Sequence, residues 1–188
     1  MATNVDEPDR QDVVELLIEQ HRHIRDLFTE VETATEEERK DAFRRLVRML
    51  AVHETAEEEV VHPAVRAAEG GGPVVDARVA EERKAKELLS TMDTIGPDAE
   101  GFDTLLVQLR DDVLAHARHE ESAEFPLLRQ AYDGDRLRNM ARAVRAAEAI
   151  APTRPHPGME SQVANVLLGP PVAIMDRARD LIRTALGR

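Results

Sequence analysis

Two stretches of this 188-residue chain repeat one pattern of potential ligands. His53-Glu54-Thr55-Ala56-Glu57-Glu58-Glu59-Val60-Val61-His62-Pro63 and His116-Ala117-Arg118-His119-Glu120-Glu121-Ser122-Ala123-Glu124-Phe125-Pro126 both read H-x-x-x-E-E-x-x-x-x-P. In an α-helix, residues four apart sit roughly 40° apart and one turn along the axis. Each motif therefore presents an imidazole and a carboxylate on one helix face, and two such helices facing each other would bring both pairs into one cavity. These are ligand types for first-row metals. The chain has no cysteine, which excludes disulfides, thiolate metal sites, iron–sulfur clusters and a cysteine nucleophile. No Ser/His/Asp arrangement or other dedicated nucleophile is visible, so any reactivity would come from a bound metal.

Helical phase decides which groups point inward. On one helix Leu46, Leu50, His53, Glu57 and Ala64 share a stripe; on another Leu105, Leu109, Val113, His116, Glu120 and Ala123 do. Each His/Glu pair interrupts the face that should meet the core. His21 falls within the stripe of Val14, Leu17, Ile24 and Phe28, and Glu82 lies between Val75, Val79 and Ala85, Leu89, Met92. By the same phase Glu58, Glu81, Glu121 and Arg83 turn away, and His23, His62, His119 and His156 are expected at the surface. The inward set is His21, His53, Glu57, Glu82, His116 and Glu120. Buried carboxylates need partners or a cation. Three imidazoles and three carboxylates exceed the roughly four ligands of a zinc site. They suit two iron or manganese ions with bridging carboxylates, and zinc could substitute. A metal-free bundle with mutually paired core groups is the plain alternative.

Four long amphipathic segments must position these residues: 11–32, 35–69, 75–94 and a fourth from just after Asp98 to 132. The breaks between them are short and rich in Gly and Pro. Thr35-Glu36-Glu37-Glu38 has the form of a capping box. Short connections make neighbours antiparallel, so the expected fold is all-α, an up-down-up-down four-helix bundle over residues 11–133. Residues 1–10 read as a flexible N-terminus. Residues 134–188 read as a helical extension docked on the bundle or on a second subunit, with helices over 135–150 and 171–186 around a Pro-rich linker at 151–158. The formal charge is −12, with Lys plus Arg 25 against Asp plus Glu 37. That balance argues against nucleic-acid and anionic-membrane partners. No apolar run approaches the roughly twenty residues of a membrane span, and no signal segment is present, so a cytoplasmic protein is expected.

With order, spacing and phase in agreement, residues 11–133 resemble the hemerythrin-like family of HHE cation-binding domains. The segment from Gln20 to Phe28 is similar to the family's first-helix motif and places His21 at its first ligand. His53/Glu57 and His116/Glu120 match the two HxxxE pairs, each with its following proline. The extension resembles the C-terminal tails of actinobacterial members. The resemblance implies an oxo- or hydroxo-bridged di-iron centre that meets O₂, peroxide or nitric oxide, as sensor, scavenger or weak peroxidase or catalase. A metal-dependent regulatory or partner-binding module without catalysis is the competing expectation, with a protein partner or a second copy engaged through 134–188. One departure stands out: where the family usually has a third-helix His, Glu82 takes the position. A carboxylate is a harder, anionic ligand, which favours the ferric state and argues against reversible O₂ carriage.

Overall fold

A computed structural model describes residues 11–148 and the four positions Asp176, Arg179, Asp180 and Arg183. The expected tail at 1–10, the Pro-rich stretch at 151–158 and most of the expected helix at 171–186 lie outside the described residues. Among the described residues every regular element is helical: α1 Val13–Thr33, α2 Glu36–Ala56, α3 His62–Ala67, α4 Gly71–Ile95, α5 Phe102–His119, α6 Phe125–Ala131 and α7 Gly134–Glu148. A five-residue π turn, Glu57–Val61, joins α2 to α3, and a second, Glu120–Glu124, joins α5 to α6. Four long rods therefore make the bundle expected from the sequence, two of them interrupted. No described helix is long and apolar enough to cross a membrane.

Local signals set the helix ends. Asp12 caps α1 by accepting the Glu15 N–H at 2.9 Å, and Glu15 returns the bond to the Asp12 N–H at 3.1 Å. At α2, the Glu38 carboxylate accepts from the Thr35 hydroxyl at 2.9 Å. The third rod starts earlier than the glycine run suggests. Gly70 adopts φ +78° as a left-handed cap, and Gly71 opens α4 against α3, where a Cβ would lie 1.8 Å from the Val65 carbonyl oxygen. Only glycine permits that approach. Pro73 is tolerated because the first turn of a helix leaves its N–H groups unpaired.

The π turns have a shared cause. Pro63 and Pro126 lack an N–H and crowd the carbonyl four residues back, which opens the α ladder just before them. The chain responds with wider bonds: His62 N–H reaches the Glu57 carbonyl, and Phe125 N–H reaches the Glu120 carbonyl. Such turns are rare and concentrate at functional sites. Each begins on the glutamate of an HxxxE pair.

Two apolar clusters fill the interior. One gathers Val13, Leu17, Val61, Val65, Val75 and Leu128 with Leu137, Met140 and Val144 of α7. The other gathers Ile24, Phe28, Leu46, Leu50, Met92, Leu106 and Leu109. The C-terminal extension thus begins as a helix whose apolar face packs into the bundle's own core. On all four rods the polar residues of the inward set fall where one cluster gives way to the other. Each large apolar side chain in these clusters contributes about 1.5–3 kcal/mol by leaving water, which holds the rods against the cost of the polar layer between them.

Candidate metal centre

All six residues of the inward set converge in that layer. His21, Glu82 and His53 are 2%, 3% and 5% exposed, Glu57 and Glu120 are fully buried, and His116 is partly buried, its side chain 13% exposed. Ligand atoms of His21, His53, Glu57 and Glu120 all lie within 4.8 Å of one another, and those of Glu57, Glu82 and His116 form a second group on the same criterion. Glu57 belongs to both. The helical pairs close across short gaps: His53 Nε2 to Glu57 Oε1 is 3.2 Å, His116 Nε2 to Glu120 Oε1 is 3.2 Å, and His21 Nε2 to Glu120 Oε2 is 3.2 Å. These contacts lack the alignment of hydrogen bonds. His21 Nε2, His116 Nε2, Glu57 Oε1 and both Glu120 oxygens are buried without a hydrogen-bond partner. Buried polar atoms are rarely left so, and here the unpaired atoms face a common interior space.

Each of the three imidazoles is held from behind. His21 Nδ1 donates to Glu121 Oε1 at 2.8 Å, His53 Nδ1 to Gln20 Oε1 at 2.7 Å, and His116 Nδ1 to Glu81 Oε2 at 3.0 Å. Fixing the proton on Nδ1 aims Nε2 into the layer, which is how histidines are prepared for metals. Glu81 also receives Arg78 and His119, at 2.9 and 3.0 Å. The rings pack as well: His21 lies edge-on to His53 with centroids 4.9 Å apart and stacks on Phe125 at 5.8 Å.

The buried carboxylates and imidazoles perturb one another's protonation. Burial pushes the Glu57 carboxyl well above its usual range, and the neighbouring Glu120 adds to the rise. Glu120 is held well below its range: burial opposes this, but His116 and His21 outweigh it. His116 is pushed up to about 12 because Glu120 and Glu57 overcome the effect of burial. His53 is lowered to about 3 by burial and by His21, so it stays a neutral imidazole. A protonated histidine among buried carboxylates holds the place that a cation would take. The donor set, mixed nitrogen and carboxylate oxygen, fits first-row divalent metals.

His62 is a correction to the phase argument. It is 4% exposed, not at the surface. In an unbroken α-helix it would sit roughly 140° from Glu57; the π turn bonds residues five apart and brings it round to the interior. There its Nε2 meets Glu82 Oε1 at 2.5 Å and its Nδ1 meets Glu124 Oε1 at 2.8 Å. Burial would lower this imidazole, but the bonds to Glu124 and Glu82 raise it to about 10. Glu124 and the outer partners Gln20, Glu81 and Glu121 are the other site residues that ligand spacing alone did not single out. Gln20 and Glu81 directly precede an inward residue and Glu121 directly follows one. His119 is exposed, as expected.

A cavity of about 200 Å³ opens beside the layer. His53, Glu57 and His116 form its inner end, Ile24, Leu50, Leu89, Leu109 and Val113 its apolar wall, and the exposed Lys84, Asp112 and His119 its mouth. At the first π turn, Arg179 reaches Glu58 at 3.1 Å and Glu59 at 2.8 Å, and Arg183 grips Glu59 at 2.9 and 3.1 Å.

Comparison with known proteins shows what the chain resembles. Residues 12–128 match the model of the hemerythrin HHE cation binding domain. An HHE cation-binding-domain protein from Mycobacterium kansasii, the homologue of Rv2633c, superposes with a TM-score of 0.70 over 89% of this chain and 99% of its own, at 20% identity. A DNA nickase from Nostoc sp. (strain PCC 7120) is 31% identical over 140 residues. Those residues are 74% of this chain but 39% of the nickase, so this chain spans about two-fifths of that relative.

Proposed function

Because the chain belongs to the hemerythrin HHE cation-binding family, we propose that the polar layer holds two metal cations, iron by preference, and that the pair handles or senses O₂, peroxide or nitric oxide. His21, His53, Glu57 and Glu120 would hold one ion, and Glu57, Glu82 and His116 the other, with Glu57 shared. The observation that carries this reading is the set of buried, unbonded Nε2 and carboxylate atoms facing one space, with each of the three imidazoles fixed from behind on Nδ1. Bound iron supplies the redox chemistry. The chain's own residues do the rest. Gln20, Glu81 and Glu121 orient the imidazoles, and the two apolar clusters keep bulk water from the layer. The cavity walled by Leu50, Leu89, Leu109 and Val113 admits a small molecule against His53 and His116. Three carboxylates favour the ferric state, which supports a scavenging or sensing role over reversible O₂ carriage.

The test is reconstitution with ferrous iron under nitrogen, followed by exposure to peroxide, O₂ or nitric oxide while the near-ultraviolet and visible spectrum is recorded. A ferric signal that forms with peroxide and is lost in His53→Ala supports the reading; an iron-loaded protein whose spectrum answers none of the three contradicts it. The nickase activity of the Nostoc relative is not carried over, since a net charge of −12 is adverse to a DNA duplex.

One observation favours a second reading, a metal-dependent regulatory module. Arg179 and Arg183 clamp Glu58 and Glu59, immediately after the shared Glu57. Metal that orders the π turn would then strengthen docking of the extension. Metal-loaded protein should resist proteolysis after 148 more than the chelated form does, and Arg179→Ala should erase the difference. Equal cleavage of the two forms counts against this reading.

A further inference from the structure

The two halves of the site repeat in sequence but differ where the π turns close. Five residues after Glu120 comes Phe125, whose ring stacks on His21. Five residues after Glu57 comes His62, in the equivalent place yet polar and buried. An imidazole in an apolar position is costly unless both nitrogens are satisfied. His62 meets that demand with two carboxylates from different rods, Glu82 of α4 and Glu124 of the second π turn. Both nitrogens are engaged, so His62 offers no lone pair to a metal. What it does instead is fix Glu82, the residue that stands in place of a histidine.

We propose that His62, anchored by Glu124, is a positioning residue that presents Glu82 to the second metal position. This rests on the reading that Glu57, Glu82 and His116 hold a cation. The geometry supports the role in three ways. His62 takes Glu82 Oε1 and leaves Oε2 buried with no hydrogen bond, free to serve as a ligand. Lys86, one turn along α4, stands 3.8 Å from that Oε2 and competes for it, while Glu54 and Glu58 hold the ammonium at 3.1 and 2.5 Å. Without the His62 bond Glu82 Oε1 is released, and the carboxylate is drawn toward Lys86. Finally, the second group has three ligand residues against four in the first. It has fewer contacts with which to hold a wandering carboxylate, so orientation matters more there.

The experiment uses the full chain, stripped by chelation and titrated with cobalt(II), whose visible ligand-field bands report ligand type. Bound cobalt is counted by mass spectrometry, and metal-free melting curves check folding. The parent should take two ions. Glu82→Gln should take one. His62→Phe, which copies the other half, should keep the first ion and weaken the second by roughly 10- to 100-fold, the usual effect of removing an outer-sphere partner. Glu124→Gln, which leaves core volume unchanged, should weaken the second ion in the same direction even where His62→Phe folds poorly. If Glu82→Gln loses an ion but His62→Phe and Glu124→Gln both bind two with parental affinity and spectrum, the positioning role is overturned while the metal reading stands. If the parent binds no cobalt, or Glu82→Gln still binds two, the underlying reading fails and the proposal with it.

Discussion

The sharpest consequence of the site's layout concerns Glu57, the one residue common to both ligand groups. Glu57→Gln keeps the shape of the side chain and removes its charge. Deleting one partner from a buried ionic arrangement costs about 3–5 kcal/mol, which corresponds to a loss of roughly two to three and a half orders of magnitude in affinity. Because Glu57 is shared, both ions should weaken by that order, whereas Glu82→Gln should affect only one. In the metal-free protein the same substitution should act oppositely. Burial and the nearby Glu120 raise the Glu57 carboxyl in the folded state. A raised carboxyl favours folding in full below its ordinary range, and that benefit is lost as pH rises from there through the folded-state value. Gln carries no such proton, so at neutral pH metal-free Glu57→Gln should be at least as stable as the parent. Urea unfolding in chelator, repeated with saturating cobalt(II) or ferrous iron, measures both halves: the parent should gain stability on loading and the variant should not. The reasoning is refuted if the variant binds two ions with parental affinity, or loses just one as Glu82→Gln does. A marked drop in its metal-free stability would equally refute the electrostatic account.

Metal uptake should release protons and tighten as pH rises, because His116 is held protonated, up to about 12, chiefly by Glu120 in the metal-free cluster and must give up that proton to bind; titration calorimetry in buffers of differing ionisation enthalpy reads the release directly, and a buffer-independent heat would contradict it. Gln20→Leu removes the acceptor behind His53 and should lower affinity for the first ion by roughly 10- to 100-fold with little change in fold, checked by competition with a chromogenic chelator. Gly71→Ala drives a Cβ into the Val65 carbonyl and should cost about 1–3 kcal/mol of stability, seen as a lower thermal midpoint in both loaded and stripped protein.

Much of this was legible in the sequence, for a physical reason. His21, His53, Glu57, Glu82, His116 and Glu120 each interrupt an apolar stripe, and a 3.6-residue period carries that signal without any knowledge of tertiary contacts. The start of α4 and the role of His62 were not legible in the same way. Gly71 begins a helix because α3 packs so close that only a bare Cα fits, a contact between distant turns rather than a local preference. His62 lies inside because Pro63 opens a π turn, and a single widened turn resets the phase of everything after it. Beyond that point the chain no longer follows 100° per residue from the residues before the turn. The outer partners Gln20, Glu81 and Glu121 each adjoin an inward residue in sequence and acquire their role only when neighbouring rods bring imidazoles within 3.0 Å.

Counting bound metal decides whether the polar layer is a two-cation site. The full chain is reconstituted with ferrous iron without oxygen, freed of excess by gel filtration, and its iron is quantified per chain alongside His53→Ala and Glu57→Gln. Close to two irons are expected in the parent, with His53→Ala depleted and Glu57→Gln nearly empty. A parent that retains no iron, or variants that retain as much as the parent, would contradict it.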